Sequence, residues 1–150
     1  AIAAGISEGL QFGANSMAGL VTRGLAEMTR LGIRLGAERE TFSGLAGIGD
    51  LVLTCTGRLS RNRFVGYELG IGRNLGQIVG SMKMVAEGVT TTLSGWQLAK
   101  RENVDMPICE QVYLILYGGK NPRQALHDLM SRELKGEQDM KGERQKENLT

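Results

Sequence analysis

Gly47-Ile48-Gly49-Asp50-Leu51-Val52-Leu53-Thr54-Cys55-Thr56-Gly57-Arg58-Leu59-Ser60-Arg61-Asn62-Arg63 is the stretch on which the fold class turns. Its apolar run at 51–55 is too short for periodicity to separate a buried strand from a turn or two of helix. The rest of the chain decides. No second strand-like run exists to pair with it, so the helix is favoured, with Leu51, Val52 and Leu53 buried. Gly47 and Gly49 break the preceding segment. Asp50 caps the next turn, because its carboxylate can take up a free amide at a helix start.

Upstream, Met17, Leu20, Val21, Gly24, Leu25, Met28, Leu31 and Leu35 recur at three- and four-residue steps, one face of an amphipathic helix. Asn15 or Ser16 can cap its start, and Gly36 can end it in a left-handed conformation. Gly24 and Gly32 inside it cost about 1 kcal/mol each relative to alanine, which points to a second helix packed close. A short helical segment covers 38–45.

Downstream, Ser60 caps a helix over 61–69 that Gly70 and Gly72 stop. A weaker helix covers 75–82. Another covers 88–101, with Thr90, Leu93, Trp96, Gln97 and Lys100 in phase. Pro107 and Pro122 each open a further helix, since a first turn has no bond for the missing N–H to lose. Val112, Ile115 and Leu116 face inward from one; Ala125, Leu126, Leu129 and Met130 form the stripe of the other. Trp96 and Tyr113 read as core or interface, and His127 as exposed or partly buried. The expectation is an all-α, compact multi-helix domain over 1–131. Over 132–150 charges alternate in sign with little to bury, as in a disordered or frayed tail.

The chain has 150 residues, 41% of them hydrophobic, which is enough for one globular core. A net charge of +2 argues against nucleic acid, leaving a pI of about 8.7 and the Arg58, Arg61 and Arg63 cluster in its favour. No apolar run approaches the roughly 20 residues of a membrane span, and no signal peptide is visible. Cys55, Cys109 and the single histidine, His127, lack metal-ligand spacing, so no metal is expected. Isolated cysteines in apolar surroundings read as buried thiols of a cytoplasmic protein. The first residue, Ala1, falls inside an apolar run and reads as the cut end of a longer chain. No G-x-G-x-x-G fingerprint follows a strand; Gly70-Ile71-Gly72 sits among polar helical residues.

The chemistry gathers in the opening stretch. A helix capped by Ser60 turns the first free amides, at Arg61, Asn62 and Arg63, outward. Unpaired donors at the positive end of a helix make an anion site. Arg61 adds a full charge whose fork suits a phosphate, and Asn62 adds a neutral donor. Arg58 and Arg63 strengthen the local potential. A carboxylate and an amide nearby suit hydroxyls, so the group set fits a small polyol phosphate.

The whole segment resembles the signature of the soluble NAD(P)-dependent glycerol-3-phosphate dehydrogenases, bacterial type, in their carboxy-terminal domain. Similar to the same family are the opening run from Ala1 to Asn15, Thr22-Arg23-Gly24-Leu25-Ala26-Glu27-Met28, and Tyr113-Leu114-Ile115-Leu116-Tyr117-Gly118-Gly119-Lys120. The resemblance implies a domain of the 6-phosphogluconate dehydrogenase C-terminal type that binds substrate for reduction of dihydroxyacetone phosphate to sn-glycerol 3-phosphate, a step towards phospholipids. It implies that Ser60, Arg61 and Asn62 bind the substrate phosphate, Arg61 also approaching the cofactor. Asp50 would lie in the substrate site beside the catalytic lysine, and Thr54 near the substrate. Val85 and Glu87, in Val85-Ala86-Glu87-Gly88, would contact the nicotinamide cofactor, NAD or NADP, with Glu87 accepting from its amide or ribose. The catalytic lysine and the dinucleotide-binding domain would precede Ala1, leaving the isolated piece inactive. The alternative expectation is a helical association module, with a homodimer as its product.

Overall fold

The computed structural model describes residues 1–132, so the stretch 133–150 of the expected tail lies outside the described residues. It is built of helices: α1 (Ile2–Gly9), α2 (Ala14–Arg34), α3 (Arg39–Phe42), a π-helical turn (Leu45–Gly49), α4 (Asp50–Thr56), α5 (Arg61–Gly70), α6 (Leu75–Ser81), α7 (Gly88–Arg101), α8 (Pro107–Gly118) and α9 (Pro122–Ser131). The described residues contain no β-strand, so the all-α expectation holds. No helix among them is long and apolar enough to cross a membrane.

The core is one cluster. Ile2 and Ile6 of α1, Leu20 of α2, Val65 and Leu69 of α5, Ile78 of α6, Val112 and Leu116 of α8, and Leu126 and Leu129 of α9 meet in it. Its centre is the seam between α1 and α5. Gly5 and Gly9 on one helix face Gly66 and Gly70 on the other, and a Cβ at Gly5 or Gly66 would overlap a backbone carbonyl, of Arg63 and Ile2 respectively. A Cβ at Gly70 would lie 2.7 Å from the Ile6 oxygen. Only glycine permits two backbones this close. Arg63, read above as part of the anion site's potential, instead runs along the seam and pairs with Glu8 at 2.5 Å. The sequence reading assigned no element to α1.

Several local expectations are corrected. α2 starts after Gly13 with no side-chain cap, so Asn15 and Ser16 lie within the helix. Gly36 does take a left-handed φ of 91° just beyond it. The neighbour that Gly32 admits is the ring of Phe42, while Gly24 meets only the tip of Ile108 at 4.0 Å. Met28 and Leu35 are exposed, whereas Glu27, on the same stripe, is buried. Gly47 and Gly49 do not break the chain. They form the π turn, which runs straight into α4, and Asp50 is the first helical residue with no cap bond from its side chain. A glycine is required at 47, where a Cβ would overlap the Phe42 backbone. Val52 and Leu53 are exposed (41% and 67%), and only Cys55 of α4 is buried. On α7 the buried residue is Ala99; Thr90, Gln97 and Lys100 are exposed. Met130 is also exposed, at 37%.

Candidate functional site at the start of α5

Ser60 caps α5 as expected, but the Arg63 amide, expected to be free, is the one it takes up. The Ser60 hydroxyl accepts from the Arg63 amide at 3.2 Å, and the Phe64 amide closes the first helical bond onto the Ser60 carbonyl at 2.9 Å. The amides of Arg61 and Asn62 therefore precede the helical ladder and have no partner from it. Arg61 is exposed.

Asn62 is half-buried, and its Oδ1 accepts from the backbone amide of Gly88 at 2.9 Å. Gly88 is the first residue of α7, after Glu87. One side chain on the first turn of α5 thus caps α7 from outside, so two positive helix ends converge on it. A backbone N–H only donates, so the atom facing Gly88 is the oxygen. The two Nδ2 protons of Asn62 are left to donate elsewhere.

The Val85–Glu87 loop sits beside this junction. Buried Ala86 anchors it, Val85 is 71% exposed, and Glu87 is exposed with no cap bond of its own. The Asn62–Gly88 bond thus joins the start of α5, with Ser60 and Arg61, to the segment that carries Val85 and Glu87. Asp50 and Thr54 stand four residues apart on α4, on one helix face, and α4 packs on α1 and α5. The Thr54 hydroxyl donates back to the carbonyls of Asp50 (2.8 Å) and Leu51 (3.1 Å), so only its lone pairs face outward. These bonds stay within α4 and do not reach the Ser60–Asn62 turn.

The sequence reading missed Glu27. Its Oε1 accepts from the Ile108 amide at 2.6 Å and its Oε2 from the Cys109 amide at 3.2 Å, so it caps α8 from α2. Burial pushes its carboxyl up to about 7, against the pull of the two amides and Arg30; the charge of Asp105 adds to the rise. Its position, three after Gly24 and four before Leu31 on the apolar stripe, was the available signal. Beside it a cavity of about 230 Å³ is lined by Trp96, Lys100, Asn103, Met106, Cys109 and Glu110. Burial, with the charges of Glu27 and Glu110, pushes the Cys109 thiol up to about 11, which disfavours the nucleophilic thiolate. Trp96 stacks on Tyr113 with ring centroids 4.0 Å apart. Among the described residues no group of three His, Cys, Asp or Glu is placed to hold a metal.

Comparison with known proteins agrees with the all-helical fold. Residues 1–127 match the family described as NAD-dependent glycerol-3-phosphate dehydrogenase C-terminus. The chain is 63% identical over 137 residues to the NAD(P)+ glycerol-3-phosphate dehydrogenase of Citrifermentans bemidjiense, covering 91% of this chain and 41% of that protein. It is 63% identical over 139 residues to that of Syntrophotalea carbinolica, covering 93% and 42%. The solved structure of glycerol-3-phosphate dehydrogenase from Coxiella burnetii superposes with a TM-score of 0.86 at 44% identity, over 87% of this chain and 40% of that one. The chain therefore spans about two fifths of the length of these relatives. It belongs to the NAD-dependent glycerol-3-phosphate dehydrogenase C-terminus family.

Proposed function

We propose that residues 1–131 form the helical substrate-binding domain of a cytoplasmic glycerol-3-phosphate dehydrogenase, of the 6-phosphogluconate dehydrogenase C-terminal type, with 132–150 a separate charged tail. The whole protein would interconvert dihydroxyacetone phosphate and sn-glycerol 3-phosphate. The observation that carries this reading is the start of α5, where two amides outside the ladder, the exposed Arg61 and the free Nδ2 of Asn62 stand together. Donors and a fork-shaped cation at a positive helix end match a doubly charged phosphate ester.

In this reading Ser60, Arg61 and Asn62 hold the phosphate, and Asp50 orients the polar end of the substrate and the ammonium of a lysine that precedes Ala1. Thr54 offers only acceptor lone pairs, which suits a substrate hydroxyl. Val85, Glu87 and Arg61 fit a nicotinamide dinucleotide: the exposed carboxylate can accept from its amide or ribose, and the guanidinium can meet its phosphates. NAD or NADP, when bound, supplies the hydride chemistry. What this chain contributes is position and charge.

In the full-length enzyme, Arg61→Ala is expected to raise KM for dihydroxyacetone phosphate by roughly 10- to 100-fold, the loss of a charged hydrogen-bond pair. Asp50→Asn is expected to act mainly on kcat. An unaltered KM in Arg61→Ala would remove the phosphate assignment.

Exposed apolar side chains favour a second reading, a helical association module that pairs into a homodimer. Leu45 (90% exposed), Leu59 (97%), Leu53 (67%) and Met84 (63%) all stand in solvent, and such surface is commonly covered by a partner. Sedimentation of this piece beside the full-length protein separates the readings. Self-association of the piece alone supports the module, and a monomer opposes it.

A further inference from the structure

We infer that Gly88 is a positioning residue for the phosphate site, acting through Asn62 from the start of α7. The inference rests on the phosphate reading above and adds a residue to it. Asn62 reaches α7 from a different helix, and the bond it accepts there, Gly88 amide to Oδ1 at 2.9 Å, fixes which end of the amide faces which way. With the oxygen turned to α7, both Nδ2 protons are presented on the other side. Rotated by half a turn, the same side chain would set its NH2 against the Gly88 N–H, two donors facing one another. The Gly88 amide therefore excludes the orientation in which Asn62 would offer an anion only its carbonyl oxygen.

The position also demands glycine. A Cβ at residue 88 would lie 2.7 Å from both Cγ and Oδ1 of Asn62 and 3.1 Å from its Nδ2. All three nearest atoms belong to that one amide, so a side chain at 88 would displace Asn62 before anything else. The bond also ties the first turn of α5 to the Val85–Glu87 loop. That loop and the phosphate donors therefore share one fixed geometry, although 26 residues separate Gly88 from Asn62.

The test is a double-mutant cycle on the full-length enzyme, reading KM for dihydroxyacetone phosphate and kcat separately. Asn62→Ala is expected to raise KM by about 10-fold or more, and Gly88→Ala by a comparable factor with a smaller change in kcat. Alanine at 62 removes the three atoms nearest to the new methyl. Gly88→Ala is therefore expected to add less than about twofold in the Asn62→Ala background. If Asn62→Ala raises KM while Gly88→Ala does not, or if Gly88→Ala costs the same in both backgrounds, the positioning role is overturned and the phosphate reading stands. An unchanged KM in Asn62→Ala overturns both. Should Gly88→Ala fail to fold, the double variant is expected to fold, because the overlap is gone; a double variant that also fails overturns the inference.

Discussion

Among the described residues the starts of two helices are capped by a side chain from another helix, and the caps differ in kind. At the start of α8 the buried carboxylate of Glu27 gives one oxygen to the Ile108 amide and the other to the Cys109 amide. At the start of α7 the half-buried amide of Asn62 gives its only oxygen to Gly88. The carboxylate spends both oxygens on the fold. The carboxamide spends its acceptor and keeps two donors in reserve. A side chain of the first kind holds two helices together. One of the second kind can also serve a ligand, and it stands beside Arg61 and the two amides that precede the α5 ladder, where the phosphate is proposed to bind.

Substitutions can break this contrast, and the largest effect belongs to Glu27. Glu27→Ala strips two amides of their acceptor and leaves a void beneath α8. It is expected to cost about 3 kcal/mol, read from denaturant unfolding through the fluorescence of Trp96, the single tryptophan. A cost below about 1 kcal/mol would show that the α8 cap is dispensable.

The pH dependence comes next. Burial raises the Glu27 carboxyl from 4.5 to about 7 in the folded chain. The native state then holds this proton more tightly than the unfolded state does. The stability the group contributes is full below 4.5 and is lost as pH rises towards about 7. Glu27→Gln removes the titrating group, so unfolding midpoints at about pH 5 and about pH 7.5 should differ less in the variant than in the native chain. Equal differences in both would mean that the carboxyl does not titrate in this window.

Ser60→Ala is the smaller perturbation. Losing the single bond to the Arg63 amide is expected to cost about 1 kcal/mol. No loss of stability would mean that Ser60 does not hold the first turn of α5.

The two regions were not equally legible in the sequence. The α5 site was, because its signals are local: a serine cap, an arginine and an asparagine in one turn, with the bounds of α7 readable from Gly88 to Arg101. Glu27 was not, since an acid on an apolar stripe reads as a solvated edge until the helix it caps is seen beside it. The α1–α5 seam was hidden for a related reason. Gly5 and Gly9 mean little until Gly66 and Gly70 are found opposite, and no window along the chain spans both pairs. Gly47 and Gly49 read as a break because glycine usually ends helices. Here the missing Cβ admits the Phe42 backbone, and the chain continues through a π turn. Val52 and Leu53 were read as buried because they are apolar, yet apolarity alone does not place a residue inside.

The contrast is sharpest at Asn62→Asp in the full-length enzyme. Aspartate keeps an acceptor for Gly88, so the α7 cap and the unfolding midpoint should be nearly unchanged. It removes both donors and sets a negative charge against the phosphate. KM for dihydroxyacetone phosphate is expected to rise by about 100-fold or more while stability holds. An unchanged KM in a stably folded Asn62→Asp enzyme would contradict the phosphate assignment.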